Sequence, residues 1–409
     1  MFSLDAFYDV IFKNLLEPVG ISSFYFSKFG SISWNDIEPV APHTFYNARY
    51  LFFCDQEPIN HKIYDYAYAA LPHNATPHSM GLWFAHYNTS LCELRYFDPI
   101  LRIGANSEIC KEKTEAFLTY NISDWYYFFH GFAALDWFRN TQYYPPVTKF
   151  DKVFITFNHL ITDKRSYRLN LIANIVKNKL DNYGDIAMSI DNRDELILNE
   201  IKNPNSLLSA QAKKTISNNL LGYANRFVVD TEHPNGSLSA YDRLDILSRG
   251  LWHVVTETVF YDKKLHLTEK IFKPIVTRRP FILVAAPGNL QYLKKYGFKT
   301  FDHWIDESYD SEPDHDKRIQ LIINQLDNLC KLDRIDLEQM YKEMTDVLEF
   351  NFHWFFNGFK NIIVNEMVDN YQSILQNWNA GKDKSFLSYI DYSQINFDEI
   401  KLRLSGYCP

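Results

Sequence analysis

Thr268, Glu269 and Lys270 are three consecutive residues at what reads as the start of a helix, just ahead of Ile271-Phe272-Lys273-Pro274. Such a start offers backbone N–H groups, a carboxylate that can accept sugar hydroxyls and an ammonium for phosphate, a combination suited to a nucleotide-sugar. The plainer reading of the same residues is an N-cap threonine followed by a favourable first-turn acid. Two further carboxylates, Asp55 and Glu57, follow the apolar run Tyr50-Leu51-Phe52-Phe53-Cys54. Residues two apart on a strand share a face, so one site can receive both, and either can deprotonate an acceptor hydroxyl as an inverting transfer requires. The alternative is a turn cap before Pro58. His130, after an aromatic run over 125–129, is a second candidate base, and its plain reading is a hydrogen-bonded core histidine.

The composition narrows the field. The chain has 409 residues, 46% of them hydrophobic and 22% charged, which suits two or three folded domains and excludes disordered and low-complexity classes. Net charge is −8, so the whole chain does not advertise a general nucleic-acid binder. Between residues 261 and 300, however, nine Lys and Arg stand against two acids, a local net charge of +7. Such an excess calls for an anionic partner. Five scattered cysteines without CxxC spacing support neither a disulfide framework nor zinc and point to a reducing cytoplasm. Residues 1–20 carry Asp5, Asp9, Lys13 and Glu17 through an apolar pattern, which reads as an amphipathic helix rather than a secretory segment. No run is long enough to span a membrane. P-loop, GxSxG, HExxH and GxGxxG motifs are all missing from the sequence. His303 with Asp302, Asp306 and Glu307 matches no standard metal-ligand spacing and reads as a solvated acidic loop.

The elements that must position these groups read as α/β. A strand at 152–157 is followed by a polar, basic loop at 158–166. Leu169, Ile172, Ala173, Ile175, Val176 and Leu180 then recur at helical spacing. Further strands are expected at 226–230, 252–256 and 280–286, the last a strongly apolar run of buried parallel type. Pro287-Gly288 ends that run, Asn289 is placed to cap a short helix through Tyr296, and Gly297 closes the helix at C′. Beyond Asp316, Ile319, Ile322, Ile323, Leu326 and Leu329 share one helix face. An aromatic-rich segment runs over 348–378. Prolines and turn formers at 140–148 mark a domain boundary.

The order Thr256-Glu257-Thr258, aromatic, short loop, Leu267-Thr268-Glu269-Lys270, helix, Arg279-Pro280-Phe281-Ile282 strand, Pro287-Gly288 turn resembles the donor-binding half of fucosyltransferase-type GT-B glycosyltransferases. The similarity is specific over 254–301. Phe154-Ile155-Thr156-Phe157-Asn158, followed by Arg165 and Arg168, resembles the first strand and basic loop of that half. The chain is also similar to phage-encoded glycosyltransferase-like proteins through Cys54-Asp55-Gln56-Glu57-Pro58, Thr268–Pro274, Gly297–Phe301 and Asp306–Tyr309. It departs from the fucosyltransferase pattern in carrying Arg278-Arg279 where a small Ala-Gly pair commonly precedes the strand, which leaves the donor open.

The resemblance implies an α/β protein of two Rossmann-like domains (GT-B) with a C-terminal helical extension. Residues 1–147 would form the acceptor side, 148–312 the nucleotide-sugar side, and 313–409 helices packing partly back on the first domain. It implies Glu269 and Lys270 on the donor, Asn158, Arg165 and Arg168 at its diphosphate, and Glu257 near its sugar. Arg165 and Arg168 read equally as the solvated start of an amphipathic helix, and Glu257 as a partner for a buried backbone group. The expected reaction is metal-independent and inverting. It needs no cofactor beyond the nucleotide-diphosphate sugar as co-substrate, and involves no membrane. The acceptor is a glycan or, in the phage-type alternative, a hydroxylated DNA base. The remaining alternative is a non-catalytic nucleotide- or glycan-binding module. The expected compartment is the cytoplasm, that of the host if the chain is phage-encoded.

Overall fold

The computed structural model describes five short strands between residues 21 and 124 at backbone level. It further describes residues 149–359 apart from 189–191, 224–226, 230–246, 262–264 and 266, and then 361–362, 365, 368–369, 372, 376, 392–393 and 395–406. The side chains of Val228, Val229, Glu269 and 403–406 fall outside this description. The chain divides into two compact units, one of Met1–Thr141 with Lys360–Pro409 and one of Gln142–Phe359. The expected helix at 1–20, and the candidates Asp55, Glu57 and His130, lie outside the described residues.

In the first unit, strands β1 (Ile21–Tyr25), β2 (Arg49–Phe53), β3 (Leu82–His86), β4 (Arg102–Ala105) and β5 (Ser123–Asp124) form a parallel sheet in chain order. A sheet laid down in chain order has no point at which the winding reverses.

The second unit is wound both ways. Its elements are β6 (Lys152–Asn158), α1 (Tyr167–Lys177), β7 (Gly184–Met188), α2 (Arg193–Lys202), α3 (Ala210–Leu220), β8 (Val228–Val229), β9 (Gly250–Thr256), α4 (Glu269–Val276), β10 (Phe281–Val284) and α5 (Asn289–Lys295). They are followed by α6 (His315–Cys330), α7 (Arg334–Glu343) and α8 (Thr345–Trp354). The C-terminal α9 (Phe397–Gly406) belongs to the first unit. All pairings of the second sheet are parallel and its order is β10-β9-β6-β7-β8. Counted from the β8 edge, the unit's strands run third, second, first, fourth, fifth. This is the doubly wound, Rossmann-like order, whose reversal falls between β6 and β9.

β6, β9 and β10 form because each is a short run rich in β-branched and aromatic residues that is buried on both faces of the sheet. Every residue of β9 and β10 is buried. The helix expected from Leu169 onward is α1, and α6 buries Ile319, Ile322, Ile323, Leu326 and Leu329. The strand β7, with the sequence Gly-Asp-Ile-Ala-Met, carries little sequence signal; its Gly184 is required because a Cβ there would stand 2.3 Å from the Phe154 ring.

Two expectations at the end of β10 resolve differently. Gly297 closes α5 with φ +86, the left-handed conformation that glycine adopts without strain. The N-cap of α5, however, is Gly288, and Asn289 lies inside the helix, its Nδ2 donating to the Ala286 carbonyl at 2.8 Å. The carboxylate that caps this helix is distant in sequence: Asp310 accepts from the N–H groups of Leu290 and Gln291 at 2.9 and 3.0 Å.

One buried titratable group gives the unit a testable acid response. His253, in the middle of β9 and packed edge-on to Phe157, is pushed down to about 3 by burial first and then by the nearby Lys273 and Arg279 charges. The unfolded chain therefore binds a proton between about pH 6.5 and 3 that the native state refuses, and stability falls as pH drops through that window. The expected slope from this group is up to about 1.4 kcal/mol per pH unit. Chemical denaturation at pH 7 and pH 5 measures it, and in His253→Phe the drop should shrink; an unchanged drop would reassign the acid sensitivity elsewhere.

Candidate functional site

The carboxyl ends of β6 and β9 flank the reversal of strand order, the place where open α/β sheets build ligand crevices. Asn158 ends β6 and Thr256 ends β9. The loops leaving these strands, 159–166 and 257–268, carry Arg165, Glu257 and Thr268, and Asn158, Arg168, Glu269 and Lys270 lie in the elements they join.

Thr268 is the N-cap of α4. Its Oγ1 accepts from the Lys270 N–H at 3.3 Å, as the plainer reading of the tripeptide requires. Its own backbone N–H and hydroxyl donate to the two carboxylate oxygens of Glu257, at 3.1 and 2.6 Å. Both residues are fully buried. Glu257 thus ties the end of β9 to the start of α4, which is the backbone-satisfying role weighed from the sequence. The Lys270 ammonium donates to the same Thr268 hydroxyl oxygen at 3.2 Å, so hydroxyl, carboxylate and ammonium converge at the helix start. Of Glu269 only the backbone is described, as the first residue of α4. The helix is oriented from below by aromatics: Phe272 packs on Phe355 and Phe359 with ring centres 5.1 and 5.2 Å away.

Arg168 is not a solvated helix start. It is buried, and its guanidinium donates to the carbonyls of Leu160 (2.9 Å), Thr256 (2.9 Å) and Glu257 (3.3 Å). The Tyr167 hydroxyl donates to the same Glu257 carbonyl, while its ring stacks on Phe260 at 4.1 Å. One arginine therefore holds both crevice loops, and its donors are engaged with the protein's own backbone. Arg165 sits partly buried in the 3-10 turn Asp163–Arg165, on the loop that Arg168 clamps.

Four side chains with no strong sequence signal complete the frame. Buried Glu200, from α2, accepts from the Asp163 N–H at 3.1 Å, holding Asp163 at φ +53. Ser166 and Tyr261 join the two loops through their hydroxyls at 3.1 Å, and burial raises the Tyr261 phenol well above its usual range, keeping it neutral. Arg318, from α6, donates to the Phe260 and Glu312 carbonyls at 2.7 Å each. The contacts of Glu200 with Asp163, Ser166 with Tyr261 and Arg318 with Phe260 span 37, 95 and 58 residues, separations that no local pattern reveals.

The basic excess of 261–300 is not one surface. Arg278 is buried against Phe352, its Nε 2.7 Å from Glu349, and Arg279 is buried with its Nη2 on the Ser248 carbonyl at 2.7 Å. Lys294 is paired with Asp302 and Glu307 at 3.1 Å each. Glu307 in turn accepts from the Thr300 hydroxyl and the Phe301 N–H, and Asp306 caps the turn at Ser308. Among the described residues no cluster of His, Cys, Asp and Glu is placed to hold a metal ion, and no helix is long and apolar enough to cross a membrane. The sequence matches no protein-family profile and no curated protein.

Proposed function

We propose that this chain is a glycosyltransferase that moves a sugar from a nucleotide-diphosphate donor to an acceptor hydroxyl. The observation that carries the reading is the convergence of the Thr268 hydroxyl, Glu257 carboxylate and Lys270 ammonium at the start of α4, beside the point where the second sheet reverses its winding. A helix start and an ammonium suit a diphosphate, and as that group leaves they stabilise the charge that builds on it. In this reading Arg165 contacts the diphosphate from the facing loop, while Arg168 and Glu257 are positioning residues. Glu269 accepts donor hydroxyls. One of Asp55, Glu57 or His130 serves as base, the transfer proceeds with inversion, and the acceptor is a glycan or a hydroxylated base. The fold is then of GT-B type, the second unit being its donor half, and the site of action the cytoplasm.

The test is a thermal-shift screen against UDP-, GDP-, ADP-, CMP- and dTDP-sugars, because a ligand of the native state raises its melting temperature by mass action. One nucleotide class should stabilise the wild type selectively. Lys270→Ala should lose most of that shift, with donor affinity falling on the order of 10- to 100-fold for a lost charge-assisted contact. A protein that melts identically with every donor would leave Thr268 as an ordinary helix cap and overturn the assignment.

A further inference from the structure

We propose that Asn158 and Thr258 form a hydroxyl-reading subsite at the heads of the two central strands, contacting the sugar or ribose of the donor rather than its phosphates. The inference rests on the donor reading above and assigns Thr258 a role in it. At these strand ends the polar side chains divide into two groups. Those of Thr256, Thr268, Glu257 and Arg168 are engaged within the protein: Thr256 Oγ1 donates to the Phe157 carbonyl at 2.8 Å, and the others bond as described. Asn158 and Thr258 are different. Asn158 donates through Nδ2 to Thr156 Oγ1 at 3.1 Å, but its Oδ1 is buried without a partner, and so is Thr258 Oγ1. The residues are 0% and 3% exposed. The pairing of Thr156 with Val254 sets Asn158 level with Thr256, and Thr258 lies two residues beyond on the same chain.

The chemistry of the two atoms selects the ligand. In the orientation that gives Nδ2 to the Thr156 hydroxyl, the unpartnered Asn158 Oδ1 only accepts and has nothing to gain from a diphosphate, which at neutral pH offers acceptors. A carbohydrate hydroxyl donates to Oδ1 and can either donate to or accept from the threonine hydroxyl. Both protein atoms are already desolvated in the fold, so the cost of stripping their water falls on folding and not on binding. A ligand that supplies the missing partners gains the bonds with that penalty already met.

Calorimetric titration of the intact chain with inorganic pyrophosphate, the nucleoside diphosphate and the nucleotide-sugar found by the screen tests this on wild type, Thr258→Val and Asn158→Leu. Thr258→Val keeps the side-chain shape and removes only the unpaired hydroxyl, so its ligand-free melting temperature should equal or exceed that of the wild type. Its nucleotide-sugar affinity should fall roughly 10-fold, the effect of one lost hydrogen bond, while pyrophosphate affinity stays unchanged. If the nucleoside diphosphate weakens in parallel, the subsite reads ribose; if only the nucleotide-sugar weakens, it reads the transferred sugar. Should Asn158→Leu fail to fold, Thr258→Val carries the test alone. Equal weakening of pyrophosphate would make the pair a phosphate contact and overturn the proposal. Unchanged nucleotide-sugar binding in a responsive wild type would overturn it too, leaving the two atoms to an internal water while the donor reading stands. A wild type that binds no nucleotide-sugar would overturn both.

Discussion

Arg168→Ala is expected to destabilise the second unit by on the order of 3 kcal/mol and to abolish the response to donor even at temperatures where the variant stays folded. The side chain is buried and its guanidinium serves the carbonyls of Leu160, Thr256 and Glu257, which belong to two different loops. Truncation strands these carbonyls away from water and opens a cavity the size of the side chain. Both effects are large because charged donors to buried acceptors contribute more than neutral ones. Arg168→Lys should recover only part of the loss, since a single ammonium cannot reproduce a planar fork that reaches both loops at once. Urea denaturation followed by tryptophan fluorescence measures the stability. An alanine variant within about 0.5 kcal/mol of wild type, the range of an ordinary surface change, would restore the solvated-helix reading of this residue.

Glu257 carries the second large effect. Its carboxylate takes both the N–H and the hydroxyl of Thr268, so Glu257→Ala leaves two buried donors at the head of α4 without acceptors. The expected cost is about 2–4 kcal/mol, well above the roughly 1 kcal/mol of an ordinary N-cap loss. Glu257→Gln retains one acceptor oxygen and should fall between the two. If the carboxylate acts through Thr268, a double-mutant cycle with Thr268→Val will show coupling of about 1–3 kcal/mol, because both single changes break the bond between the Thr268 hydroxyl and the Glu257 carboxylate. Additive losses would mean that Glu257 stabilises the site by some other contact. Donor affinity should drop with Glu257→Ala and be partly rescued in Glu257→Gln, as the helix start recovers its position.

Much of the fold was readable along the chain because it rests on local pattern. The runs at 152–157, 252–256 and 280–286 became β6, β9 and β10 with small changes at their ends, and the spacing of Ile319 to Leu329 became the buried face of α6. Weak local signals fared worse. Gly184–Met188 reads as nothing in particular until Phe154 is laid across its glycine, and α5 takes its capping carboxylate from Asp310, twenty residues on from Leu290.

The sequence by itself determined the strongly patterned elements, β6, β9 and β10 with α1 and α6, that Gly297 ends α5, and that Thr268 starts α4, because backbone sterics and apolar periodicity act within a few residues. Only the tertiary structure decided the order β10-β9-β6-β7-β8, and with it that Asn158 and Glu257, about a hundred residues apart, stand at neighbouring strand ends. The same step turned Arg168 from an exposed helix-start cation into a buried clamp, and Arg278 and Arg279 from part of a basic stretch into buried structural groups. The physical reason is common to all three. A charged side chain is identical in sequence whether water or a distant carbonyl solvates it, and which of the two does so is settled when the strands pair and the water is expelled.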